Sequence, residues 1–231
     1  MATYVLLHGA GSDSSYWQFV APRLRELGHD VLTPDLPCDD DSAGLVEYAD
    51  VVVDAIGRRT GVILVAQSMA GFLVPLVCSR VPVELAVLVA AMVPAAGESP
   101  GDWWSNTGQE AARRELDKRE GRDPDAEFDP VTTFLHDLTP EVLTTVLAAG
   151  ARRQSDTPFQ QALPMPAWPD IPTRFLLCLG DRFFPAEFQR RVVRDRLGIT
   201  PDEIDSGHLP ALARPRELVE RLETYRVAAA G

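Results

Sequence analysis

The chain has 231 residues, 45% of them hydrophobic, enough for one large buried core in an α/β domain. A formal net charge of −12 argues against nucleic acid and anionic membrane surfaces as partners, since both are held by clustered lysine and arginine. No run approaches the roughly 18 apolar residues of a membrane span. The three cysteines, Cys38, Cys78 and Cys178, show no CxxC or paired spacing, so neither a disulfide framework nor zinc is expected and they read as free and mostly buried. Met1-Ala2-Thr3-Tyr4 leads straight into a strand without a basic or separate apolar leader, so a cytoplasmic protein is expected.

Taken in order, Tyr4–Leu7 is a continuous apolar strand that ends in His8-Gly9-Ala10-Gly11, where glycines permit a sharp turn and leave amides free. A helix capped by Ser14 or Ser15 is predicted to run to about Leu27, with Trp17, Val20, Leu24 and Leu27 on one face and Gly28 as its stop. His29–Pro37 reads as a second strand with a proline-bounded exit. Asp39-Asp40-Asp41 lacks the glycine and terminal glutamate of a calcium loop and reads as a solvated loop and helix cap, before a helix from about Ala43 to Arg58.

Gly61 then opens the stretch Val62-Ile63-Leu64-Val65-Ala66-Gln67-Ser68-Met69-Ala70-Gly71, an apolar run that delivers one serine and passes at once into a helix-compatible segment, Phe72–Arg80. A serine at such an elbow is forced to positive φ, and the residues two before and two after it must be small for strand and helix to pass. Ala66 and Ala70 stand at the two positions usually held by glycine. The alternative is that Ser68 simply caps the helix that follows.

Glu84–Ala91 is another continuous apolar strand, and such runs separated by helices point to a parallel sheet buried on both faces. The rhythm breaks from about 93 to 171, a segment rich in proline and charge that reads as a helical cap inserted into a single domain spanning 1–231. Helical pieces are predicted at Glu110–Glu120, Thr132–Asp137 and Pro140–Arg153, followed by a proline-studded exit. Trp103 and Trp104 are adjacent, so one can face a pocket while the other anchors the cap. The sheet resumes at Thr173–Leu179, ending in Gly180-Asp181; a helix over Ala186–Leu197, a short strand Glu203–Asp205, Ser206-Gly207-His208 and a last helix over Arg216–Val227 complete the chain.

Ser68, Asp181 and His208 all fall at the carboxyl ends of predicted strands, the edge at which open α/β sheets build their sites. A serine hydroxyl is a poor nucleophile until an imidazole takes its proton, and the imidazole needs a buried carboxylate to fix its tautomer. Asp205 and Glu98 are the rival acids.

Strand-His8-Gly9-Ala10, the elbow Ala66–Gly71, the block Gly180–Arg190 and Gly207-His208 with Arg214-Pro215 beyond it resemble the α/β-hydrolase superfamily, in the Ser, Asp, His chain order of that fold. The small-capped branch of salicylate-type methylesterases and hydroxynitrile lyases is the most similar. The resemblance implies a mostly parallel sheet flanked by helices, Ser68 as nucleophile, His208 as general base, Asp181 as its orienter, and the amides of Ala10 and Met69 as an oxyanion hole. Two departures bear on substrate. Gln67 stands where family hydrolases usually have histidine. The lyases carry threonine in place of Gly9 and a lysine directly after the histidine, whereas Leu209 follows His208 here and Lys118 is the sole lysine. The expected function is hydrolysis of a small, largely apolar carboxylic ester through an acyl-enzyme, with no cofactor and no metal. Cleavage of a carbon–carbon bond by the same residues, and ligand binding on a hydrolase scaffold, are the alternatives. The partners expected are a small-molecule ester and at most a second copy of the chain in a homodimer.

Overall fold

The computed structural model describes residues 1–165 and 167–229, so Pro166, within the predicted proline-studded exit, lies outside the described residues. Its centre is a parallel sheet of β1 (Thr3–Leu7), β2 (Asp30–Leu32), β3 (Val62–Gln67), β4 (Leu85–Val89), β5 (Thr173–Cys178) and β6 (Asp202–Ile204), in spatial order β2-β1-β3-β4-β5-β6. Every residue of β1, β3 and β4 is buried, because helices cover both faces, and that is why these strands read as unbroken apolar runs. The register pairs Val5 with Leu64, Leu64 with Ala86, Leu88 with Phe175, and Cys178 with Ile204. After β1 the chain moves one way to β2 and then crosses to β3 on the other side, so the loops leaving β1 and β3 part at a topological switch point.

The first helices are α1 (Ala21–Glu26), α2 (Leu45–Ile56) and α3 (Leu73–Cys78). The single helix expected from Ser14 to Leu27 is instead a 3-10 turn, Ser14–Trp17, followed by α1. Pro22 has no N–H and its ring crowds the carbonyl of the preceding turn, so a helix can start at Ala21 but not run through it. The cap is Asp13 rather than either serine: its carboxylate accepts from Ser15 N at 2.9 Å.

Between β4 and β5 the described elements are all helices: α4 (Pro100–Thr107), α5 (Gln109–Arg119), α6 (Pro130–Phe134), α7 (Pro140–Ala149) and α8 (Thr157–Gln160). Beyond the helical pieces expected, α4 forms as well, with Ser99 capping it through Asp102 N and Pro100 at its first position. The chain closes with α9 (Ala186–Leu197), α10 (Pro210–Ala213) and α11 (Pro215–Ala229). One face of the sheet packs on α2, α3, α9 and Trp103, and the other on Tyr16, Trp17, α1, α10 and α11. The acidic run is tied to the inserted segment, with Arg153 donating to both Asp41 carboxylate oxygens at 2.6 and 2.7 Å while Asp40 takes the Ser42 amide at 2.8 Å. No described helix is long and apolar enough to cross a membrane.

Candidate active site

Ser68 begins a 3-10 turn, Ser68–Phe72, that joins β3 to α3, and its φ is +54°, in the left-handed region. The surroundings hold that conformation. Ser68 O accepts from Met92 N at 2.9 Å, and a Cβ on Gly71 would lie 2.0 Å from Met92 O, so the turn can approach the end of β4 only through a glycine at 71. Gly9 is pressed in the same way from the β1 side, where an added Cβ would stand 2.4 Å from Gln67 Oε1 and 2.9 Å from Ser68 Cβ. Ala66 and Ala70 are fully buried with their methyl groups accommodated.

β5 and β6 leave the sheet side by side, with Leu179 N donating to Ile204 O and Gly180 N to Ser206 O, both at 2.9 Å. This zipper brings the two following loops together. His208 Nδ1 lies 2.7 Å from Asp181 Oδ2, and His208 Nε2 lies 3.1 Å from Ser68 Oγ. Asp181 Oδ1 accepts from the amides of Phe183 at 2.8 Å and Phe184 at 2.9 Å, while Oδ2 faces the imidazole and takes a longer contact of 3.5 Å from Gln189 Nε2. Asp181 therefore acts as acceptor on both oxygens, which puts the imidazole proton on Nδ1 and the lone pair of Nε2 toward the serine hydroxyl. Asp181 is 1% exposed, His208 3% and Ser68 9%, so water competes little for these bonds. The rival acids are elsewhere: Asp205 is exposed, and Glu98 is engaged by Arg196 and by Asn106 at 2.8 Å.

Aromatic rings enclose the imidazole. Phe184, Phe134 and Phe183 have ring centroids 5.0, 5.2 and 5.5 Å from that of His208. Trp103 is buried behind them against Phe184 and Phe188, its Nε1 donating to Val93 O at 3.0 Å, which makes it an anchor of the inserted segment. Trp104 is half-buried and meets Phe183 and Phe184. Ala10, which follows Gly9, is exposed, while Met69 is buried. The β1 exit is braced by His8, whose Nε2 accepts from Leu36 N at 3.1 Å and whose Nδ1 lies 2.9 Å from Gly9 O; burial holds this imidazole below its ordinary value. Gly11 N donates to Gln154 Oε1 at 2.9 Å, so the inserted segment braces the same loop.

Several contacts at the site carry no sequence signal. Gln67 Nε2 donates to His208 O at 3.2 Å, Gln189 Nε2 reaches Phe184 O at 2.5 Å beside the acid, and Phe134 arrives from α6. Burial, reinforced by the nearby Asp181 and Asp137 carboxylates, pushes the Cys178 thiol well above its usual range, so it stays protonated and supplies no rival nucleophile. Among the described residues no group of three or more His, Cys, Asp or Glu side chains is arranged to hold a metal ion.

The sequence profile of the alpha/beta hydrolase family matches residues 4–221. Methylesterase 9 of Arabidopsis thaliana is 24% identical, over 96% of this chain and 97% of its own, and norfluorocurarine synthase 1 of Strychnos nux-vomica is 23% identical, over 95% and 93%. Among solved structures, polyneuridine aldehyde esterase superposes with a TM-score of 0.78 at 21% identity, covering 97% of this chain and 98% of that one. A pyrethroid hydrolase from Sphingobium faniae gives 0.76 at 20%, covering 99% and 98%. At these identities the superpositions speak for the fold, and the profile match over nearly the whole chain speaks for descent: the chain belongs to the alpha/beta hydrolase family.

Proposed function

We propose that the protein is a serine hydrolase of the carboxylesterase type, cleaving a small, largely apolar ester through an acyl-enzyme. The observation that carries this reading is a single imidazole bridging Ser68 Oγ at 3.1 Å and Asp181 Oδ2 at 2.7 Å. In the proposed reaction His208 Nε2 takes the Ser68 proton as Oγ attacks the ester carbonyl, then returns it to the departing alcohol; a water activated in the same way releases the acid. Asp181 stays ionised and stabilises the imidazolium. The developing oxyanion is assigned to the amides of Ala10 and Met69, each such donor contributing about 3–4 kcal/mol to the barrier. The inserted helices 93–171 act as the cap of the site, and the phenylalanines around His208 favour an apolar substrate.

The lyase alternative fits the site less well, because a threonine at position 9 would collide with Gln67 and Ser68, and the sole lysine, Lys118, is exposed on α5. Turnover of a short-chain aryl ester tests the proposal. Wild-type protein should release a burst of alcohol followed by sustained multiple turnovers, and Ser68→Ala should show neither. Equal turnover by the two proteins would refute the assignment of Ser68, and a single turnover without a steady state would favour a binding protein.

A further inference from the structure

His208 stands four residues beyond the last residue of a strand only three residues long, β6, and its loop is held from the sheet side by Gly180 N on Ser206 O and by Gln67 Nε2 on His208 O. Part of the remaining restraint comes from the inserted segment. Asp137 lies between α6 and α7, and its Oδ2 accepts from Gly207 N at 2.7 Å and from Ser206 Oγ at 3.3 Å, the two residues immediately before the histidine. The fit is close. A Cβ on Gly207 would stand 2.7 Å from Asp137 Oδ1 and 3.0 Å from His136 Cε1, so Gly207 is the residue that lets the carboxylate reach the backbone. Three residues earlier, Phe134 lies against the imidazole, its centroid 5.2 Å away, and Arg182, next to the acid Asp181, donates to Thr132 O at 2.9 Å. One short stretch of the insertion thus grips the loops of both base and acid.

We propose that Asp137 is a positioning residue for His208, acting through the Gly207 amide, so that seating of the inserted segment is a condition for assembling the Ser68–His208–Asp181 relay. The proposal rests on the reading of Ser68 as nucleophile. A carboxylate accepting from an amide makes a charge-assisted bond, stronger than a neutral one, and a loop so held presents Nε2 to Ser68 without a search. Asp137 touches no reacting atom; its effect passes through the backbone of residues 206–208.

The test compares Asp137→Ala, Asp137→Leu and Asp137→Asn with wild type by two readouts: the rate at which a fluorophosphonate labels Ser68, and the low-field proton resonance of the His208 Nδ1–H bonded to Asp181. Asp137→Leu keeps the volume without the acceptor and stands in if the alanine variant fails to fold; Asp137→Asn keeps an acceptor for the Gly207 amide. Labelling should slow by at least about tenfold in the variants lacking the acceptor, with the resonance broadened or lost, and stay within about threefold of wild type in Asp137→Asn. Asp125→Ala, which removes only an exposed ion pair with Arg114 on the same segment, should change neither readout. Unchanged labelling and resonance in the variants without the acceptor overturn the proposal, and so does an asparagine variant no better than they are. Wild-type protein that shows the resonance but takes no label at Ser68 refutes the nucleophile instead, and the resonance in the variants then decides the positioning role by itself.

Discussion

Ser68 holds a backbone conformation that costs a residue with a side chain of order 1 kcal/mol or more, and the contacts maintaining it belong to glycines on either side of it in space. Gly71→Ala should therefore be far more damaging than its single methyl suggests. With Met92 O at 2.0 Å from the new Cβ, the turn or β4 must move, and a loss of about 1–3 kcal/mol in denaturant unfolding together with lost activity is expected. Ala66→Gly and Ala70→Gly meet no such contact and should retain activity. Asp181→Asn keeps the shape of the acid but can turn an amide N–H toward His208 Nδ1, favouring the wrong tautomer. A fall in kcat on the order of 10³–10⁴ with little change in KM is expected from steady-state kinetics. That Ser68, Asp181 and His208 would meet was legible because each stands just past a strand and their side chains can form one hydrogen-bonded chain. Gln67 stood out as a departure from the family, but its bond to His208 O did not, nor did the contact of Gln189 with Asp181, since a glutamine that holds a loop or an acid leaves no pattern in the chain.

Among the elements, those of the sheet and those of the insertion differ in what holds them. β1, β3 and β4 are buried throughout, so their apolar runs announced the strands directly. α6 and α7 bury no residue completely, and their apolar contacts are few: Val142 and Val146, one turn apart, rest on the core with Leu138, and Phe134 rests on Phe183 and His208. Polar pairings seat the segment as well: Asp137 on Gly207, Gln154 on Gly11 and Arg153 on Asp41, between residues far apart in sequence, which no spacing rule finds. Pro22 was the opposite case, a visible breaker whose effect the smooth apolar spacing around it obscured. The start of the insertion is pinned by Arg196 of α9, which bonds Val93 O and the Glu98 carboxylate, where side-chain exposures are 16% for the arginine and 3% for the glutamate. Arg196→Met leaves that buried carboxylate without its charged partner, held only by Asn106 and the Ala95 amide, and should cost about 3–5 kcal/mol by chemical denaturation, with Glu98→Gln in the same chain recovering part of the loss.

For the molecule as a whole, the two ends of the chain are joined through one carboxylate. Glu223 on α11 accepts from the Tyr4 hydroxyl of β1 at 2.6 Å, lies 3.1 Å from His29 Nε2 and pairs with Arg226 at 2.9 Å. Partial burial by itself pushes this carboxyl up, but the bonds from Arg226, Tyr4 and His29 outweigh it and hold it at about 2, below its ordinary 4.5. Because the folded value is the lower one, the stabilisation is complete above about pH 4.5 and drains away as pH falls toward 2. His8 adds a second window. Its folded value lies below the ordinary 6.5, so the unfolded chain takes up the proton first and stability declines as pH drops below that value. The melting temperature should accordingly fall on acidification from pH 8 to 3, and Glu223→Gln should flatten the limb below pH 4.5 while leaving the one near 6.5 in place. The parallel architecture was readable from strand and helix alternation alone, whereas this junction was not, because Tyr4 and Glu223 are separated by nearly the whole chain.

The most direct measurement is the mass of the peptide carrying Ser68 after acid quenching at intervals during turnover of an aryl ester. An acyl group should be found on Ser68 in wild-type protein, forming faster than the steady state and decaying at a rate that sustains kcat, and it should be absent from the His208→Ala variant. Sustained turnover with Ser68 unmodified at every time point would contradict the relay.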